Sequence, residues 1–229
     1  MVLKAGIPAP VSARMKLALF DLDHTLIPFD SGLAWTRFLC REGVLDAAAE
    51  ARYLGFCHQY VAGTLDIHAM HHASIAPLAA IDPAQLRQWL VGFEREMQAR
   101  LPQPMRELVA RHRDAGHRCA IVTATTRLVA EPLARAFGIE HLLATEAVLV
   151  DGRPSGAIDG LPCFREHKLT RVQAWLGAPL TDCEASWFYS DSASDLPLLR
   201  AVSHPVAVRP DARLRAHAMA AGWTILDSP

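Results

Sequence analysis

Lys16-Leu17-Ala18-Leu19-Phe20-Asp21-Leu22-Asp23-His24-Thr25-Leu26-Ile27 is an apolar run that stops at two carboxylates separated by one residue. Leu17 to Phe20 reads as a buried strand, because a short unbroken apolar run suits a strand covered on both faces. Side chains at i and i+2 of an extended segment share a face. Asp21 and Asp23 are therefore expected to emerge together past the carboxyl end of the strand, the edge of an open α/β sheet where ligands bind. Carboxylates paired there repel, and a divalent cation held by oxygen ligands would keep both ionised. The competing reading is a pair of exposed loop acids, the commonest situation for aspartate.

Around this stretch lies a chain of 229 residues, 51% hydrophobic and 21% charged, long enough to bury a core as one domain or a domain with an insert. The formal net charge is −1 and no basic block stands out, which argues against a nucleic-acid or anionic-membrane surface. Cys40, Cys57, Cys119, Cys163 and Cys183 are odd in number and widely spaced, with no Cys-x-x-Cys pair, and read as reduced thiols of a cytoplasmic protein. Met1 to Arg14 contains Pro8, Pro10 and Ser12 but no apolar region long enough for a signal peptide or span, and reads as a loose leader. No obligatory protein partner is evident.

From Ser31 to about Pro104 there is no good strand candidate, but four helical periods have recognisable boundaries. Leu33, Trp35, Phe38 and Leu39 form one apolar face, stopped by Gly43. A second helix is expected from Asp46 through Leu54, Phe56 and Tyr60 to Gly63, and a third from Thr64 through Ile67, Met70 and Ile75 to Pro77. In Asp82-Pro83-Ala84-Gln85 an N-cap, a first-turn proline and a capping-box glutamine open a fourth, carrying Leu86, Trp89 and Phe93. The helical spacing of His68, His71 and His72 allows a metal site, but without further convergent Cys or carboxylate positions they read as ordinary helix residues. Trp35, Phe38, Trp89 and Phe93 read as bundle core rather than a ligand box.

Beyond Pro104, Met105 to Ala115 is expected to be a helix closed by Gly116, followed by a second buried strand at Arg118 to Val122. That strand ends in Thr123-Ala124-Thr125-Thr126 before a helix at Leu128 to Phe137. Hydroxyl and backbone N–H groups there suit a phosphate, although threonines also serve as simple helix caps. A short strand follows at Leu142 to Ala144, then a hairpin over Glu146 to Asp159 turning at Asp151-Gly152. Twenty arginines stand against three lysines, two of which, Lys4 and Lys16, lie at or before the first strand. Lys168 is then a candidate for a place where a compact ammonium must fit beside an anion, the alternative being a solvated lysine at the start of a helix over Leu169 to Leu176. Finally, the aromatic strand at Trp187-Phe188-Tyr189-Ser190 runs into Asp191, with Asp195 four residues on and another strand at Pro205 to Val208.

Taken in order, these segments resemble the haloacid dehalogenase-like superfamily over nearly the whole chain. Asp21 and Asp23 match its first motif, Thr123 its second, Lys168 its third, and Asp191 with Asp195 its fourth. The helical insert resembles the small cap of the phosphoserine phosphatase branch. One departure is Ser190, where many members have glycine; it removes no ligand. The resemblance implies a three-layer Rossmann-like α/β core with a mainly parallel sheet from residues 1–30 and 105–229, and a helical-bundle cap from residues 31–104.

The resemblance also implies hydrolysis of small phosphate monoesters in two steps. Asp21 attacks phosphorus to form an aspartyl-phosphate, and Asp23 protonates the leaving alcohol and then takes a proton from water. Mg²⁺ is expected on Asp21, Asp191 and the backbone carbonyl of Asp23, with Thr123, Ala124 and Lys168 around the other phosphoryl oxygens and Asp195 supporting the metal or Lys168. A receiver-type phospho-acceptor or phosphate-binding module with the same acidic pocket is the alternative, but it would be shorter and lack the helical insert. A dehalogenase would not need Asp23, and a dead binding protein would be expected to lose an acid. Phosphoserine and histidinol phosphate are the substrates the resemblance suggests. Asp30, nine positions after Asp21, stands where phosphoserine phosphatases carry an acid that meets the substrate amine, and it also reads as the N-cap of the first insert helix.

Overall fold

The computed structural model describes residues 15–227, so the leader read at Met1 to Arg14 lies outside the described residues. In chain order, β1 (Lys16–Phe20) leads into α1 (Ser31–Arg41), α2 (Ala48–Ala62), α3 (Ile67–Ile75) with a 3₁₀ turn at Ala76–Ala80, and α4 (Pro83–Gln98). Then come α5 (Gln103–Asp114), β2 (Arg118–Thr126), α6 (Arg127–Phe137), β3 (His141–Thr145), the hairpin strands β4 (Ala147–Val150) and β5 (Arg153–Ile158), and α7 (Glu166–Leu176). The chain closes with β6 (Ala185–Ser190), α8 (Leu196–Leu199), β7 (His204–Val208), α9 (Ala212–Ala221) and β8 (Thr224–Leu226).

Six strands form one sheet in the order β3-β2-β1-β6-β7-β8, and every pairing in it is parallel. Strand alternation divides the apolar residues between two layers. Ala18 and Phe20 point into a cluster with α5 and α6, while Leu17 and Leu19 point into one with α7, α8 and α9. This is the three-layer α/β arrangement expected from the sequence. The strand order reverses direction on either side of β1, so the Asp21 end of β1 sits at the switch point of the sheet.

The four insert helices form, with some shifted starts. The third begins at Ile67 rather than Thr64, because the Asp66 side chain accepts from the backbone N–H groups of His68 and Ala69, whereas the Thr64 hydroxyl turns back to the Gln59 carbonyl. Trp35, Phe38 and Phe93 stack together as core, with Trp35 and Phe93 at 1% and 0% exposure. They join the same cluster as Phe20, Val129 and Leu133, so α1 and α4 rest on α6. The second strand runs on to Thr126 through a register shift after Val122, where Thr145 Oγ1 donates to the Ala124 carbonyl and holds the extension against β3. The hairpin turns at Asp151-Gly152, both at positive φ (50° and 75°), as a two-residue hairpin turn requires. It docks on the insert: Arg153 Nη1 donates to the Ala79 carbonyl, and a Cβ at Gly156 would lie 2.7 Å from that of Ala76.

Candidate active site

Asp21 lies one residue past the end of β1, its backbone N–H donating to the Tyr189 carbonyl of β6. Parallel pairing of β1 with β2 and β6 in register brings Asp21 and Asp191, each just past its strand, and Thr123, within the C-terminal part of β2, to one edge. Lys168 arrives from the first turn of α7, 3% exposed, and its ammonium bridges Asp21 Oδ1 at 2.8 Å and Asp195 Oδ2 at 2.7 Å. A surface lysine is thereby ruled out. Burial alone would lower the Lys168 pKa, but the Asp195 and Asp21 charges outweigh it and hold the ammonium well above its usual range.

The carboxylates feel the opposite pressure. Burial raises Asp21, opposed by Lys168 and reinforced by the charge of Asp23. Burial raises Asp191 well above the ordinary range, and the charges of Asp21 and Asp195 add to it. Burial also raises Asp195, against the pull of Lys168. Thr25, quoted with the first motif but given no role in the sequence reading, ties the group together: its hydroxyl lies 3.1 Å from Asp21 Oδ2 and 3.3 Å from Asp191 Oδ1, and accepts from the Asp191 N–H at 3.0 Å.

Asp23 is held separately. Its Oδ1 accepts from the Ser31 N–H at 2.7 Å and its Oδ2 from Thr125 Oγ1 at 2.6 Å. Burial, with the nearby charge of Asp30, pushes it up to about 6. A carboxyl with that pKa keeps a proton to give near neutrality and takes one back readily, the property an acid-then-base group needs. Thr123 is 1% exposed, and its hydroxyl accepts from the Thr125 N–H at 3.1 Å beside Ala124. Ser190, for all its departure from glycine, is not among the residues at positive φ, and its hydroxyl donates to Asp195 Oδ2 at 2.8 Å.

The donor set suits Mg²⁺. Asp191 makes no ion pair with a cationic side chain among the described residues, and burial and the charges of Asp21 and Asp195 outweigh the pull of Lys168 on it, so a cation there would relieve a buried acid. No three His, Cys, Asp or Glu side chains converge as ligands among the described residues. Two carboxylates, Asp21 and Asp191, with no His or Cys beside them as a third ligand among the described residues, would suit an oxygen-preferring cation such as Mg²⁺ better than Zn²⁺. His71 is buried while His68 and His72 are exposed, so the histidine triplet does not converge.

Asp30 does cap α1: its Oδ1 accepts from the Leu33 N–H at 2.7 Å. The same oxygen accepts from Tyr53 OH of α2 at 3.0 Å, while Oδ2 meets only the Cys57 thiol, at 3.9 Å. Gly32 makes room for this, since a Cβ there would lie 1.9 Å from the Tyr53 hydroxyl oxygen. Burial and the charges of Asp30 and Asp23 raise both Tyr53 and Cys57, Cys57 to about 12. Tyr53 has no signature in the sequence, because the register of an insert helix over the sheet edge is not local; Thr125, expected in a phosphate-suited cluster, instead donates to Asp23.

A family model described as haloacid dehalogenase-like hydrolase matches residues 18–200. A histidinol-phosphatase of Neisseria meningitidis serogroup C (strain 8013) is 40% identical over 217 residues, which are 92% of this chain and 98% of that protein. A crystal structure of a Bordetella pertussis Tohama I protein of unknown function is 43% identical, with a TM-score of 0.86 over 93% of this chain and 99% of that one. A phosphoserine phosphatase captured as a phospho-aspartyl intermediate analogue shares the fold, with a TM-score of 0.65 at 16% identity and 94% of each chain covered.

Proposed function

The chain belongs to the haloacid dehalogenase-like hydrolase family and is a phosphoric monoester hydrolase of it, and we propose that it is a Mg²⁺-dependent enzyme whose substrate is histidinol phosphate. The observation that carries the chemistry is Lys168 bridging Asp21 and Asp195 beside a third acid, Asp191, that makes no ion pair among the described residues. Asp21 attacks phosphorus in line, the alcohol leaves with a proton from Asp23, and Asp23 then draws a proton from the water that hydrolyses the aspartyl-phosphate. Lys168, Thr123 and the Ala124 backbone grip the phosphoryl oxygens, and Asp195 keeps Lys168 aimed. Mg²⁺, held by Asp21, Asp191 and the Asp23 carbonyl, supplies charge neutralisation at the phosphoryl group when bound. Residues 31–104 act as the cap that encloses this edge of the core. A reducing, cytoplasmic setting fits the five free thiols, and no helix among the described residues is long and apolar enough to cross a membrane.

Histidinol phosphate is preferred over phosphoserine because the neighbourhood of Asp30, Tyr53 and Cys57 is anionic. An amine beside an imidazole suits that field, whereas a substrate carboxylate would be repelled. The relative from Neisseria points the same way. On a panel of small phosphate esters, wild-type turnover should rank histidinol phosphate above phosphoserine and p-nitrophenyl phosphate. Asp30→Ala should raise KM for the amine-bearing esters about tenfold and leave p-nitrophenyl phosphate unchanged. If every substrate suffers alike and Tm falls by the equivalent of about 1 kcal/mol, Asp30 is a helix cap and nothing more. Chelation should abolish phosphate release from p-nitrophenyl phosphate and Mg²⁺ should restore it; undiminished activity after exhaustive chelation refutes the metal dependence.

A further inference from the structure

Three serines alternate with the fourth-motif segment in Ser190-Asp191-Ser192-Ala193-Ser194-Asp195, and their hydroxyls, with the Ser192 backbone N–H, connect to one residue of the insert. Tyr60, on the last turn of α2, donates from its hydroxyl to Ser192 Oγ at 2.9 Å and lies 2.8 Å from Ser194 Oγ. Ser192 Oγ donates to Ser194 Oγ at 3.1 Å, and the Ser192 N–H donates to Ser190 Oγ at 3.2 Å. Ser190 Oγ donates to Asp195 Oδ2, the same oxygen that accepts from the Lys168 ammonium. The ammonium reaches Asp21, so an insert helix is connected to the nucleophile by hydrogen bonds and, at one link, by the Ser192 backbone.

A second tie holds the same turn of α2. Arg165 Nη2, just before α7, donates to the carbonyl of Gly63 at 2.7 Å. Gly63 ends α2 at φ 74°, and Arg165 is itself at φ 52°, a left-handed conformation a side-chain-bearing residue adopts only under constraint. The Tyr60 and Phe164 rings pack with centroids 5.9 Å apart. The end of α2 is thus fastened to both loops that carry the site, one leading to Lys168 and one holding Asp191 and Asp195. Burial, with the charge of Asp195, raises Tyr60 far above the working pH range, so it acts as a neutral hydroxyl.

We propose that Tyr60 is a positioning residue and the latch of the closed cap: its hydroxyl fastens α2 to Ser192 and Ser194 and thereby sets the loop that presses Asp195 against Lys168. When the cap lifts, the loop loses this support and Lys168 loses its aim, so closure over a substrate and assembly of the phosphate grip are one event. The inference rests on the phosphatase reading above, but part of its test does not need activity.

Tyr60→Phe keeps the ring on Phe164 and removes only the hydroxyl. Hydrogen–deuterium exchange at the amides of Ser192 to Asp195 should quicken roughly tenfold in this variant, since neutral hydrogen bonds of ordinary strength are lost. With p-nitrophenyl phosphate, kcat should fall roughly tenfold with little change in Tm, and the Ser192→Ala, Ser194→Ala double variant, which also loses the Ser192 Oγ acceptor of the Ser194 N–H, should show at least that loss. Adding Tyr60→Phe to that double variant should cost nothing more, because the latch has already been removed. Unchanged exchange at Ser192 to Asp195, additive losses, or a fall in Tm with wild-type kcat would each overturn the proposal. Were the wild-type protein inactive on every ester, the exchange comparison would still decide whether the latch exists.

Discussion

Asp21→Asn is expected to reduce phosphate release to background, a loss on the order of 10⁴-fold or more in kcat, with the fold and Tm intact. Asparagine keeps the shape of the side chain and an acceptor oxygen for the Lys168 ammonium, so the bridge to Asp195 survives. What disappears is the nucleophilic carboxylate. Burial and the neighbouring Asp23 both raise the Asp21 pKa, which means the native state bears a cost for holding this charge near neutrality. Neutralising it is therefore expected to leave stability unchanged or raise it, the usual relation between an active-site charge and the stability of its fold. Steady-state kinetics and thermal melts on the same preparation check both halves. Turnover by a variant free of wild-type protein would refute the covalent mechanism.

Lys168→Arg is expected to lower kcat/KM at least tenfold despite keeping the positive charge. The lysine side chain is 4% exposed, touches two carboxylates at hydrogen-bond distance, and carries its ammonium 5.8 Å from the centre of the Phe188 ring. A guanidinium is a broad planar fork, and in that enclosed space it can neither seat between Asp21 and Asp195 nor leave the phosphoryl oxygen where the ammonium met it. Overpacking should also lower stability, by about 1–3 kcal/mol. The conservative substitution discriminates better than Lys168→Ala, whose effect would mix lost catalysis with the destabilisation of leaving two buried acids without their cation. Wild-type kinetics in the arginine variant would mean that Lys168 does not grip the phosphoryl group.

Asp21 and Lys168 are both legible in the amino-acid sequence, and the reason is local. Apolar runs that give way to Asp21, Thr123 and Asp191 mark the strands, although β2 runs past Thr123 to Thr126, and parallel strands in one sheet carry their carboxyl ends to one edge. Rarity of lysine singled out Lys168, and capping signals such as Asp82-Pro83 marked helix starts. The C-terminal α9 carries its own signals in the Asp211 cap and the Gly222 stop, whereas the three residues of β8 carry no periodicity.

What no stretch of sequence carries is the placement of one element over another. Tyr53 and Tyr60 are seven residues apart on α2 and look alike as helix residues, yet one donates to Asp30 and the other to Ser192. The capping role of Asp30 could be read from its neighbours, because a cap is made within three residues; the anionic pocket around it could not. Whether Asp23 titrates near 6 depends on burial beneath Ser31 and Thr125 and on the distance to Asp30, quantities set by how the insert settles on the sheet. Strand periodicity, caps and residue chemistry are short-range and are written in the chain itself. The docking of the insert arises from long-range packing of Trp35, Phe38 and Phe93 against α6, and only the folded structure decides where that packing leaves the polar groups.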